Sequence, residues 1–159
     1  MIKIKSLFNI LFCLGLVHTI TSCNNKEAIK TSKQESFVNT LTAADTTTVL
    51  NLAAQCMDLL KGNHVEEALQ MMYSMTENKL VPISEEQKQQ LNGKFRMFPV
   101  LQYDLDGYNF ASETNNVIKY KIEFFPHKDQ NDKTPNTIGF MFVPVHIDGK
   151  WHLTVPKTN

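Results

Sequence analysis

Tyr103, Tyr120 and His146 are the side chains of this 159-residue sequence whose types and spacing could support chemistry. Each falls on the same phase of an alternating apolar pattern, so each is expected to point towards the interior of a sheet. A histidine with an ordinary pKa near ~6.5 can serve as a general base around neutral pH. A phenol beside it can donate a hydrogen bond. Trp151 shares their phase, and the four together form a candidate small-molecule pocket. The competing reading of His146 is a packing one, in which the ring stacks on Trp151 at the open end of the sheet. The sequence favours that second reading.

Other chemistries find less support. Asp104, Asp106 and Glu123 alternate onto the opposite face, so no carboxylate is expected inside, unless a bulge near Gly107 swaps the parity. His146 and His152 are sent to opposite faces by the hairpin between them, and His64 and His127 lie elsewhere, so no metal-ligand spacing emerges. The stretch Asp104-Leu105-Asp106-Gly107 lacks the further acids of a calcium loop. There is no Gly-x-Ser-x-Gly and no Gly-x-Gly to cradle phosphate. No catalytic residue, metal site or cofactor is therefore assigned.

The elements that must position these side chains begin with a helix. Val49, Leu52, Ala53, Cys56, Leu59 and Leu60 recur at three- and four-residue steps behind a cap at Asp45 or a nearby threonine. Cys56 lies on this stripe and reads as a small core residue. Asn63 with Glu66 forms a capping-box pattern for a second helix that buries Val65, Ala68, Leu69 and Met72. Ser84 with Gln87 opens a third, expected to end near Asn92-Gly93.

After Phe98 the period drops from 3.6 to 2. Leu101, Tyr103 and Leu105 share a phase, then Ile118, Tyr120, Ile122 and Phe124, then Ile138, Phe140 and Phe142, then Trp151, Leu153 and Val155. Four strands on short links predict an antiparallel meander with one buried face. Asp148-Gly149 is a two-residue hairpin turn that sets Ile147 opposite Lys150, His146 opposite Trp151 and Val145 opposite His152. Helices followed by strands make an α+β domain, N-terminal helices packed on a curved four-strand antiparallel sheet.

The N-terminus carries an address. Lys3 and Lys5 precede an apolar run from Leu7 to Val17. A bilayer span needs about 20 apolar residues, so this run reads as a secretory signal. Ile20-Thr21-Ser22-Cys23 resembles the lipobox of bacterial lipoproteins. That resemblance implies cleavage after residue 22, lipid on Cys23, and a place in the cell envelope, at the outer membrane of a Gram-negative bacterium. Two or three acyl chains would make such anchoring stable, at about 0.8 kcal/mol per buried methylene. Residues 23–44 read as the lipidated cysteine and a polar stalk, and residues 45–159 as a single domain.

Loss of residues 1–22 removes two lysines and no acid, leaving 14 basic against 16 acidic residues. With Arg96 as the single arginine, nucleic acid is excluded as a partner. Of the three cysteines only Cys56 would remain free, so no internal disulfide can form.

From Asp45 to Val155 the element order and the closing Asp148-Gly149-Lys150-Trp151-His152-Leu153-Thr154-Val155 hairpin resemble the nuclear transport factor 2-like, or cystatin-like, superfamily. The resemblance implies a cone between helices and sheet, which in enzymes of that superfamily holds an acid-base site. It also makes dimerisation through the sheet an expectation. Val117, Phe125, Met141, Val143 and Val145 leave the outer face apolar, and mark it as a candidate interface for a second copy or an envelope protein. The expected role is non-catalytic, binding a small apolar ligand in the cone or a protein at the sheet. The alternative is an isomerase- or cyclase-like enzyme using an inward His/Tyr pair.

Overall fold

The computed structural model of the protein describes residues 37–156. Cys23, the signal segment and most of the stalk lie outside the described residues. Thr42 caps helix α1 (Ala43–Lys61): its hydroxyl accepts from the Asp45 N–H at 3.1 Å, and the Asp45 carboxylate accepts from the Thr42 N–H at 2.9 Å. Val49, Ala53, Cys56, Met57 and Leu60 form its buried stripe. The helix stops at Gly62, whose N–H returns to the Asp58 carbonyl, and Asn63 takes a left-handed φ of 62°.

Asn63 therefore ends α1 and does not cap α2 (Val65–Gln70), which begins behind His64 without a side-chain cap. Glu66 accepts instead from the Asn92 amide at 3.1 Å. Helix α2 is short, and Met72, expected on its buried face, opens strand β1 (Met72–Thr76). Glu77 and Asn78, both at positive φ, turn the chain into β2 (Lys79–Pro82). Helix α3 (Glu85–Met97) has the anticipated Ser84/Gln87 box but runs through Gly93. The remaining strands are β3 (Gln102–Phe110), β4 (Asn116–Glu123), β5 (Thr137–Phe142), β6 (Val145–Ile147) and β7 (Lys150–Thr154).

The architecture is α+β, but the sheet is not a four-strand antiparallel meander. One sheet has the order β2-β1-β7-β6, and β1 runs parallel to β7. The other is β3-β4-β5, antiparallel throughout. The fourth anticipated strand pairs with a hairpin from the middle of the chain, some eighty residues before it. The two sheets meet at Val143, whose N–H donates to the Thr154 carbonyl at 2.7 Å. That bond continues the β6–β7 register, in which Val145 faces His152, His146 faces Trp151 and Ile147 faces Lys150. Segments β5 and β6 are thus one long strand broken at Pro144, and the Asp148-Gly149 turn sets its register as expected, with φ of 51° and 73°.

The core lies between α1 and the sheets. Val49, Cys56, Met57, Ile118, Ile122, Phe142 and Leu153 are all fully buried. Domain packing begins before residue 45. Phe37 is buried, its ring 6.3 Å from Trp151 and 6.2 Å from His146, so the stalk is shorter than residues 23–44.

Candidate functional site

The four candidate pocket residues fall into two pairs. Tyr103 opens β3 beneath α1, and its hydroxyl donates to the Asp58 carboxylate at 2.6 Å. Its ring meets Tyr120 edge-on at 5.5 Å. His146 and Trp151 lie together at 4.9 Å, with Phe110 5.6 Å from the indole. Phe110 and Tyr103 share β3 but stand seven residues apart, roughly 23 Å at ~3.3 Å per residue. His146 is therefore not assembled with a tyrosine into an acid-base pair. It stacks on Trp151, and its backbone N–H donates to the Glu113 carbonyl at 2.7 Å.

Asp58 went unnoticed in the sequence because it stands on the polar side of α1. Its signal is the step of four from Ala54, since Tyr103 approaches both the Ala54 carbonyl and the Asp58 carboxylate. Burial, and then the bond to Asp58, raises the Tyr103 phenol far above its ordinary value. Burial, with smaller contributions from Cys56 and Asp58, pushes Tyr120 up to about 12. Both phenols stay protonated, which suits a clamp between helix and sheet rather than proton transfer. Burial also pushes Cys56 up to about 12, and its thiol donates to the Ala68 carbonyl at 3.6 Å, so it is an inert core group.

Among the described residues the buried Trp151 indole N–H has no hydrogen-bond partner. It is enclosed by the rings of Phe37, Phe110 and His146. A missing partner of this kind costs on the order of 1–3 kcal/mol, which the aromatic packing must offset.

The bulge at Gly107 occurs, as a register shift between Leu105 and Gly107. It carries no carboxylate inward, since Asp104 and Asp106 are exposed. Leu101 and Leu105, expected inside, are 40% and 46% exposed. Strand β3 is an edge strand, and α1 reaches it where Tyr103 meets Asp58 and where the Lys61 ammonium meets the Gln102 amide at 2.7 Å.

The candidate interface is also revised. Val145 is fully buried within the chain and leaves the set. Val117, Phe125, Met141 and Val143 are half-buried, and Lys119 and Lys121 stand exposed between Val117 and the end of β4. The outer face is thus a mixture of apolar and cationic groups.

Among the described residues no group of three or more His, Cys, Asp or Glu side chains could hold a metal ion. No described helix is long and apolar enough to cross a membrane. Open clefts among the described residues include three near these elements. One, of about 400 Å³, lies beside Asp58 and His64. Another, of about 630 Å³, spans the turns at Asn78 and Asp148. The third, of about 290 Å³, runs between α3 and β5. No family model matches this chain, and neither a curated protein nor a solved structure matches it.

Proposed function

We propose that this chain is a lipid-anchored protein of the bacterial cell envelope whose domain, of the nuclear transport factor 2-like kind, binds a protein partner and does not catalyse a reaction. The carrying observation is the filled interior: Met57, Ile118, Ile122, Phe142 and Leu153, which would line a cone, have no exposed surface. A substrate needs a concave space of roughly 300–1,000 Å³. This interior is occupied by the chain's own side chains, so recognition falls to the surface. Support for the superfamily reading comes from strand order. The bond at Val143 links the β2-β1-β7-β6 sheet to the β3-β4-β5 sheet through the strand broken at Pro144, the order that superfamily reading expects.

The anchor half of the proposal is tested by Cys23→Ala, which should move the protein from the membrane fraction to the soluble one. Retention in the membrane would sink the lipoprotein reading. The binding half is tested by native mass spectrometry of residues 24–159. The expected spectrum is free of small-molecule adducts and contains a protein complex, whether a second copy or an added partner. A monomer carrying a stoichiometric small ligand would overturn it in favour of a ligand-binding cone.

A further inference from the structure

Strand β5 has an opening along one edge that its own ladder explains. Pairing runs from Ile147–Lys150 through Val145–His152 to the bond between Val143 and Thr154. The next step in that register would set Met141 against Pro156. Proline has no N–H to give the Met141 carbonyl, so the ladder cannot continue there. The Val155 N–H, on the opposite side of β7 from this ladder, goes to the Tyr73 carbonyl of β1 at 3.1 Å. The two segments separate, and α3 lies over the gap with the Phe95 ring 5.5 Å from Phe140.

The cleft of about 290 Å³ occupies this gap, between Gly139, Phe140 and Met141 on one side and Pro156 on the other, with Leu91 and Lys94 of α3 above. Successive side chains of a strand leave to opposite faces, so three consecutive residues can line one cleft only along the strand's edge. Backbone groups alternate likewise. The N–H and C=O of Gly139 and Met141 therefore point to the side that Val143 uses for Thr154, away from β4. They face the cleft, spaced as the donors and acceptors of one more strand.

Three lysines stand near it, one at the rim and two on the neighbouring strand. Lys119 stands opposite Met141 on β4 and Lys121 opposite Gly139, both exposed. Nothing lies within 4 Å of where a side chain on Gly139 would begin, so the Lys121 stem can extend across it towards the gap. Lys94 stands at the rim. Among the described residues none of the three lysines makes an ion pair. The acids nearby are Asp104, opposite Lys121 on β3, the exposed Asp106 in the bulge beside the partner of Lys119, and Glu123, whose carboxylate accepts from the Asn136 amide at 2.7 Å.

We propose that the free edge of β5 receives an extended acidic segment of a partner protein, which adds as a strand between β5 and Pro156. Main-chain hydrogen bonds to Gly139 and Met141 would hold the segment, and Lys94, Lys119 and Lys121 would select its acidic side chains. The inference rests on the protein-binding reading above and names its site and the partner's chemistry.

The test uses the full chain in detergent micelles with two synthetic hexapeptides, one alternating valine with glutamate and one alternating valine with lysine. Fluorescence anisotropy reads binding, and hydrogen exchange over residues 137–143 reads the site. The glutamate peptide should bind, slow exchange in that segment and weaken with added salt. The double variant Lys119→Glu/Lys121→Glu, at two exposed positions that leave the fold alone, should lose about tenfold or more of that affinity. Gly139→Pro, which removes an outward edge N–H where a strand tolerates proline, should weaken the protection. Equal affinity for both peptides, or no slowing in 137–143, overturns the proposal. So does octanoate slowing exchange there while the glutamate peptide does not, since the cleft would then hold a small amphiphile. Should the peptides fail while native mass spectra still contain a protein complex, this inference falls and the binding-domain reading stands.

Discussion

His152 couples one proton to the packing of β7 on β1. Its ring meets Tyr73 edge-on at 5.4 Å, and burial, followed by the Lys150 charge, pulls its pKa below the ordinary value, with Asp148 opposing. The unfolded chain then binds a proton more readily than the folded one. Stability should be level above pH ~6.5 and decline as pH falls from there towards the lower folded pKa. Urea midpoints taken between about pH 5 and 8 should show the decline, and His152→Gln should remove it. A wild-type midpoint that rises on acidification, with the decline absent, would reject this assignment. The Tyr103–Asp58 bond makes a second prediction at the same scale. Tyr103→Phe keeps the ring contact with Tyr120 but removes the donor to Asp58. Because the carboxylate can turn to water, the loss should be only about 0.5–1 kcal/mol in urea denaturation. A cost several times larger would mean the phenol does more than clamp α1 to β3.

At the level of elements, the Ser84 cap and the Asp148-Gly149 turn were plain in the sequence, whereas Asn63, read as a cap, ends α1 instead. Ser84 and Gln87 form the anticipated reciprocal bonds at 3.2 and 3.1 Å, and Gln87 also accepts from the Ser74 hydroxyl of β1 at 2.9 Å. Ser84→Ala should therefore cost about 1 kcal/mol, with a lower thermal midpoint and faster exchange in the first turn of α3. The alternation of β4 and β5 was equally legible, because period 2 is a local property. The β1–β2 hairpin was not. Met71, Met72 and Met75 recur at helical spacing, and Glu77-Asn78 is not the Asn-Gly pair that announces such a turn. The parallel pairing of β1 with β7 joins residues some eighty positions apart, beyond any local pattern. The site suffered for the same reason. Each of Tyr103, Tyr120, His146 and Trp151 lies on the predicted phase, but phase does not say which end of a strand meets which. Position along β3 separates the two pairs, and that separation comes from where α1 crosses the sheet.

For the molecule as a whole, Phe37 is where the described residues begin to pack on the domain. It is the first described residue, it is 8% exposed, and its ring sits against both Trp151 and His146. The helical turn at 37–40 is closed by the Leu41 N–H to the Phe37 carbonyl at 3.2 Å, and Thr42 then starts α1. Truncation to Phe37→Ala would leave a void over an indole whose N–H is already unpartnered, with Phe110 on its other side. The expected loss is about 3–5 kcal/mol, the range for removing a buried aromatic ring. Intrinsic tryptophan fluorescence is the direct readout, since Trp151 is the single tryptophan: its emission should shift red before global unfolding. Limited proteolysis should show cleavage moving inward from the stalk to the 37–42 junction. If emission and cleavage sites stay as in the wild type, Phe37 is only a passenger on the aromatic cluster, and the body of the domain begins at Thr42. If both change, the segment before α1 is wedged into the fold at Trp151, and its displacement would act first on β7.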